Sequence, residues 1–332
     1  MQTLSYQLLG VLADGQFHTG EALGARFGVS KTSVWKAIGD FAALGLEVHS
    51  VRGKGYRLSE KLCLLDAAHI RGGLRPEIAA RVPLVEVLPD VDSTNALLLR
   101  RAQPGGADHV QVCLAEWQSA GRGRRGRAWV SPFGHNIYMS LLFTFDAGAV
   151  ALSGLSLVAG LAVAEALQAS GVRDVGLKWP NDIYCQERKA GGILLEIAGD
   201  PQSRCHVVVG VGLNLKARGQ DMSEVTQQWT DLASQGVDPG RRNHLVAQLL
   251  NALVAAVSEF QTQGFAVFLP RWQRLDLSRE RALEVLPGGA EAVCGIGQGV
   301  DADGALLVAT PQGLRKFHGG EVSLRLRARE EM

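Results

Sequence analysis

The chain has 332 residues, 46% of them hydrophobic and 20% charged, the profile of a soluble globular protein with room for two or three domains and a sizeable core. Its formal net charge of +1 excludes overall basicity as a route to nucleic acid or membrane, so any anion binding has to be local. The five cysteines (Cys63, Cys113, Cys185, Cys205, Cys294) contain no CxxC pair, which argues against a disulfide framework and a zinc site and favours a reducing, cytoplasmic setting. The start lacks a basic, apolar signal peptide and no later stretch holds about 20 uninterrupted apolar residues, so export and membrane spanning are not expected.

Residues 5–14 have helical apolar spacing, and "DGQFHTG" reads as a turn before a second short helix with Ala22, Leu23, Ala25 and Phe27. "GVS" breaks that helix, and Ser30 is the N-cap candidate for a third, "SKTSVWKAIGDFAALG". "LEVHSV", "RGKG" and "YRLSE" then read as strand, hairpin turn and strand, so residues 1–62 are expected to form a winged helix-turn-helix. Five basic side chains (Lys31, Lys36, Arg52, Lys54, Arg57) stand against two acidic ones across residues 30–58. The candidate DNA contacts are Ser30, Lys31, Thr32, Ser33, Lys36, Arg52 and Lys54.

Residues 63–275 read as one α/β domain. Strand-like runs occur at "RVPLVEVL", "VQVCLAEW", "NIYMSLLFTF", "VGLKW", "GGILLEIA" and "HVVVGVGLNL", with helices at "SGLSLVAGLAVAEALQASG" and "NHLVAQLLNALVAAVSEFQTQG". The absence of a regular βαβ repeat favours a mixed sheet. From residue 276 to 332 short strands are punctuated by glycine, with "DADG" and "TPQG" as hairpin turns, and a small β-barrel is expected. The fold class is thus α+β and multidomain.

The middle domain carries the chemistry. "GRGRRGRAW" (residues 121–129) places four arginines among glycines between two strands, where guanidinium forks and backbone N–H groups can converge on a phosphate or carboxylate. Solvated or RNA-binding GR-rich segments extend further and lack flanking apolar strands. "KWPND" brings Lys178 and Asp182 together across a turn, a lysine for a phosphate and an aspartate for magnesium, although the same residues also make a good turn. "RKAGGILLEI" adds Lys189, "GVGLN" adds Asn214, and "DSTN" (residues 92–95) offers hydroxyls and an amide where Ser93 or Thr94 can also simply cap a helix. No GxSxG elbow, Cys–His pairing or metal-ligand histidine spacing is present, which fits a reaction whose nucleophiles arrive on the substrates.

Together these motifs resemble the bacterial biotin protein ligases in the bifunctional form that also represses the biotin operon. The resemblance covers nearly the whole chain, from "HTGEALGARFGVSKTSVWKAI" and "VRGKGYRL" through "DSTN", "GRGRRGRAWVSPFGHNIY", "KWPNDIY", "RKAGGIL" and "GVGLN" to "GEVSLR". It implies a class II synthetase-like central domain and an SH3-like C-terminal barrel. It also implies that biotin reacts with ATP and Mg2+ to give biotinyl-5′-AMP, whose acyl group passes to a lysine of the biotin carboxyl carrier protein of acetyl-CoA carboxylase. By match of motif, Ser93, Thr94, Asn95, Gln118, Gly121, Arg122, Gly123, Arg124 and Lys189 would line the biotin site, with Arg124 limiting escape of the adenylate. Arg125, Arg127, Trp129, Lys178, Asp182, Asn214 and Trp229 would serve the nucleotide side, with Arg124, Lys189, Lys178 and Asp182 central to catalysis and Mg2+ held with ATP, at most through Asp182. The adenylate would act as corepressor by driving homodimerisation on operator DNA. Ala128 stands where a lysine often follows the loop. Trp35 stands in the recognition helix where a smaller or polar residue is common, either packed inside or altering the operator read, so operator specificity is not carried over. A biotin-sensing transcription factor without ligase activity and a lipoate-type acyl ligase are the alternatives.

Overall fold

The N-terminal segment folds as a helix-turn-helix because its apolar residues and caps fall in phase. α1 (Thr3–Leu12), α2 (Gly20–Phe27) and α3 (Lys31–Gly39) pack through Leu8, Leu9, Leu12, Leu23, Val34 and Phe41, all nearly or fully buried. Thr19 accepts the Ala22 N–H at the start of α2, and Ser30 accepts the Ser33 N–H at 3.1 Å at the start of α3, as expected for an N-cap. β1 (Val48–Val51) and β2 (Gly55–Leu58) form the antiparallel wing. The computed structural model describes the chain except residues 1–2, 103–108, 147, 149–151, 200–203, 218–221, 223–224, 226, 288–290, 320–321 and 327–332. Part of the quoted "GEVSLR" stretch therefore lies outside the described residues.

Two short helices not foreseen from the sequence, α4 (Ala67–Gly72) and α5 (Pro76–Arg81), lead into a seven-stranded mixed sheet. Its strands are β3 (Val85–Leu88), β4 (Gln111–Ala115), β5 (Ile137–Phe145), β6 (Val175–Lys178), β7 (Asp182–Cys185), β8 (Arg188–Gly199) and β9 (Cys205–Leu213). They lie in the order β3-β4-β5-β9-β8-β7-β6, with β3 and β4 parallel and the other neighbours antiparallel. One face is covered by α7 (Leu155–Ala169) and α8 (Arg242–Gln263), which pack on each other, with α9 (Leu269–Gln273) against α7. The segment Pro239–Gln263 is long and apolar enough to cross a bilayer, a length the sequence reading did not expect, but 56% of its most apolar window is buried inside the protein. It is a core helix. α6 (Thr94–Arg101) sits on the opposite face, against β4, β5, β8 and β9.

Period-two alternation separates the two faces. On β5, Ile137, Met139, Leu141 and Phe143 enter the main core, while Leu142 packs with Leu98 of α6 on the other side. On β9, Val207, Val209, Val211 and Leu213 enter the core, leaving Val208, Gly210 and Gly212 toward α6.

A buried ion pair ties the segment after the wing to this domain. Arg242, at the start of α8, donates to Glu116 at 2.5 Å and to the carbonyls of Asn136 and Cys63, and Glu116 also accepts the Leu65 N–H. Both charged side chains are at most 1% exposed. Phe133, from the loop before β5, is buried in the winged-helix core beside Leu62.

The C-terminal strands β10 (Ala282–Pro287), β11 (Val293–Val300), β12 (Leu306–Thr310), β13 (Gly313–Phe317) and β14 (Val322–Leu326) form the small β domain, in the order β13-β12-β11-β10-β14 and antiparallel throughout. Turns fall at "DADG" and "TPQG" as expected. Leu283, Val285, Leu306 and Leu324 join the same buried cluster as the central sheet. All five cysteines are free.

Asp276, at the junction, has one oxygen bonded to Ser278 and the other buried without a partner among the described residues, and burial pushes its carboxyl up to about 6. An acid whose folded-state value is raised binds more protons when folded, so its contribution is full below about pH 4 and lost as pH rises through 6. We expect Asp276→Asn to remove roughly 2–3 kcal/mol of the stability loss between pH 4 and pH 7. Urea midpoints of the two proteins across that range check this, and parallel curves would refute it.

Candidate functional site

The α6 face of the sheet and the loop above it enclose a cavity of about 940 Å3, within the range of small-molecule and cofactor sites. Its floor is set by strand register. Lys178 and Asp182 pair across the β6–β7 turn, so the turn reading of "KWPND" and the expected closeness of its two charges both hold. A bulge in β8 then pairs Tyr184 with Lys189 and Asp182 with Gly192, leaving Ala190 as the extra, buried residue. Lys189 therefore shares a face with Asp182. Its ammonium pairs with Asp182 at 2.6 Å and lies 5.8 Å from the Trp129 ring. Lys178 donates to the Tyr184 hydroxyl at 3.3 Å, and burial holds its ammonium below the ordinary lysine value against the pull of Asp182.

The arginine loop connects β4 to β5 and folds back on itself: Gly123 N–H donates to Arg127 and Trp129 N–H to Gly121. Arg122 pairs with Glu196 at 3.2 Å. Arg124, half-buried, donates to the Asn181 side-chain oxygen at 3.1 Å and to the Gly319 carbonyl of the small domain, and burial lowers its guanidinium below the ordinary arginine value. Arg125 takes a left-handed backbone (φ 58°), and Arg125 and Arg127 are exposed at the rim.

At the far end of the cavity Ser93 caps α6, accepting the Ala96 N–H, so its capping role is real. Gln118 accepts from the Thr94 N–H and hydroxyl, Ser140 donates to Thr94 and Asn95, and the Asn95 amide donates to Glu196 at 2.8 Å. The glycine pair of β9 is explained by this crowding. A Cβ at Gly210 would overlap the Asn95 amide, and one at Gly212 would stand 2.7 Å from the Trp129 indole. Trp129 Nε1 and Asn214 Oδ1 are buried without a partner among the described residues, two polar atoms facing a cavity that suits a polar ligand. Trp229 lines the wall in a segment bridged to Lys189 by two backbone hydrogen bonds, Lys189 N–H to Gln228 and Thr230 N–H to Lys189.

Ser93, Thr94, Asn95, Gln118, Arg122, Gly123, Arg124, Arg125, Arg127, Trp129, Lys178, Asp182, Lys189, Asn214 and Trp229 thus line one cavity. Gly121 does not: it is buried behind the wall, where a Cβ would meet the Trp129 carbonyl and Ser131. Sequence reasoning missed Ser140, Asn181, Leu286, Leu324 and Arg325. Ser140 had a signal, a lone serine inside an apolar strand, whereas Leu286, Leu324 and Arg325 come from the small domain and had none.

The candidate DNA-contact residues lie apart, on the winged helix. Lys31, Thr32, Lys36, Arg52 and Lys54 are exposed, Ser30 caps α3 and Ser33 is half-buried. Lys31 is paired with Glu21 at 2.7 Å. Of the two placements open to Trp35, the structure has it outside, 63% exposed.

Residues 87–214 match the Biotin/lipoate A/B protein ligase family, residues 5–57 an HTH domain and residues 285–325 the Biotin protein ligase C terminal domain. The chain is 41% identical over 323 residues to the Bifunctional ligase/repressor BirA of Escherichia coli (strain K12), covering 97% of this chain and 98% of that relative. It is 36% identical to the Biotin--[acetyl-CoA-carboxylase] ligase of Mycobacterium tuberculosis over 67% of this chain and 82% of that relative. Among solved structures, the biotin protein ligase from Aquifex aeolicus in complex with biotin and ATP superposes with a TM-score of 0.63 at 30% identity, covering 73% of this chain and 99% of that one. A winged helix, a ligase cavity and a small β domain in this order, matched nearly end to end by the Escherichia coli relative, place the chain in the biotin protein ligase family, in its bifunctional ligase/repressor form.

Proposed function

We propose that the cavity makes biotinyl-5′-AMP from biotin and ATP and delivers the acyl group to a lysine of a biotin carboxyl carrier protein. The observation that carries this is the Lys189–Asp182–Lys178 group set opposite the arginine loop in one cavity, positive groups on both sides of a polar space. A carboxylate oxygen of biotin attacks the α-phosphorus of ATP, the bond to the bridging oxygen breaks and pyrophosphate leaves. The acceptor amine then attacks the acyl carbon and AMP leaves. Both nucleophiles belong to substrates, so the protein contributes position and charge. Thr94, Asn95, Gln118 and the Arg122–Arg124 segment hold biotin, with Ser93 and Gly121 shaping the wall. Arg125, Arg127, Trp129, Lys178, Asn214 and Trp229 serve the nucleotide, and Lys189 bridges the two.

Among the described residues no cluster of three or more metal-binding side chains exists, and Asp182 is the one carboxylate lining the cavity. That donor set suits Mg2+ arriving on the nucleotide, with Asp182 as its protein ligand, and when bound the ion supplies charge neutralisation at the phosphates. The adenylate-bound protein works in the cytoplasm as a homodimer whose two winged helices meet operator DNA. We take the domains as residues 1–62, 63–275 and 276–332.

The deciding experiment is incubation with biotin and Mg-ATP without acceptor, then denaturation and mass spectrometry. Biotinyl-5′-AMP is the expected product. Its absence with biotin still bound would leave a sensor, and a faster reaction with lipoate would reassign the acyl substrate. For Arg124→Gly we expect the adenylate to form and escape, since the tie from the loop to Asn181 and the Gly319 carbonyl is gone. Unrelated proteins added to the reaction should then become biotinylated on lysines, and a variant that makes no adenylate would defeat this role.

A further inference from the structure

α3 buries Val34, Ala37 and Ile38 and turns Lys31, Thr32, Trp35 and Lys36 outward, one side of a helix whose Cβ atoms repeat at i and i+4. Trp35 is 63% exposed there, a large aromatic that adds little to the core of its own domain. The wing of the same domain carries exposed Arg52 and Lys54, so the domain presents basic groups that suit a polyanion. Lys31 is paired with Glu21 at 2.7 Å. Outward on α3 there is no arginine, asparagine or glutamine, and of the side chains that read guanine or adenine through hydrogen bonds it carries only Lys31 and Lys36. What the helix offers instead is an indole face and the Thr32 methyl. In the major groove the apolar feature of a base edge is the C5-methyl group of thymine.

We propose that Trp35 is a specificity-determining residue that reads a thymine methyl in each operator half-site. This rests on the repressor reading above and assigns part of its sequence selectivity to apolar contact rather than to hydrogen bonding. Lys36, Arg52 and Lys54 then supply sequence-independent attraction to phosphates.

The test uses the full chain with biotin and Mg-ATP to select binding sites from a random duplex library. The wild-type protein should enrich a two-fold symmetric site with an invariant thymine in each half. Replacing that thymine by uracil, which removes only the methyl, should weaken wild-type binding about tenfold, a typical single-base effect. Trp35→Ala should enrich sites that have lost the thymine, bind thymine and uracil duplexes equally, and keep wild-type adenylate formation, which shows the chain is folded. Lys36→Ala should weaken selected and random duplexes alike. If Trp35→Ala enriches the unchanged site, or loses affinity equally for all duplexes, the role of Trp35 is wrong while repression stands. If the wild-type protein enriches nothing, the repressor reading fails and takes this proposal with it.

Discussion

Lys189→Met should slow single-turnover formation of biotinyl-5′-AMP by roughly 100- to 1,000-fold, the cost of removing one preorganised charge from a developing transition state. The ammonium stands 2.6 Å from Asp182 and beside Trp129, on the wall of the cavity. Methionine keeps the length and loses the charge. It also removes the ammonium paired with Asp182, so the carboxylate presents more of its charge to the incoming phosphates. The loss should therefore appear in the rate of the chemical step as well as in nucleotide affinity. Lys189→Arg restores charge but spreads it over a planar fork, and only part of the rate should return. Rapid-quench measurement of the adenylate checks both, with the thermal midpoint as a control for folding. A methionine variant working at the wild-type rate would remove Lys189 from the reaction.

Arg242→Met should lower the thermal midpoint by on the order of 10 °C, from the roughly 3–5 kcal/mol lost when one partner of a buried ion pair is removed. Glu116 is fully buried and Arg242 is its one cationic partner among the described residues, so the substitution strands a carboxylate in the interior. The carbonyls of Asn136 and Cys63 lose donors at the same time. Adding Glu116→Leu should recover part of the loss by removing the stranded charge, but it leaves the Leu65 N–H without its acceptor. Scanning calorimetry on the two single variants and the double variant separates these terms. A midpoint within about 2 °C of wild type for Arg242→Met would show that the pair contributes nothing net.

Much of the site was legible because the chemistry is written in short local motifs. Lys178 and Asp182 are joined by a tight turn, so their pairing follows from chain connectivity. The winged helix was legible for a related reason: caps, glycine breaks and 3.6-residue spacing act within a few residues of one another. α4 and α5, at six residues each, carry too little periodic signal to stand out. β7 was hidden because "IYC" follows directly on a turn and is short.

The sequence by itself determined which residue types were available: four arginines in a flexible loop, two lysines and an aspartate on strand ends, a capped recognition helix and a basic wing. Tertiary structure decided which of them meet. Strict alternation along β8 would set Lys189 and Gly192 on opposite faces, and the bulge at Ala190 puts both beside Asp182. The need for glycine at 210 and 212 arises from Asn95 and Trp129, more than 80 residues away in the chain. A further part of the lining comes from Leu286, Leu324 and Arg325, set there because the small domain shares its core with the central sheet. Local pattern reports backbone preference and amphipathic phase, which act over a turn or two. Long-range contacts are chosen by packing and register among the elements so formed, and those appear only when the chain is folded.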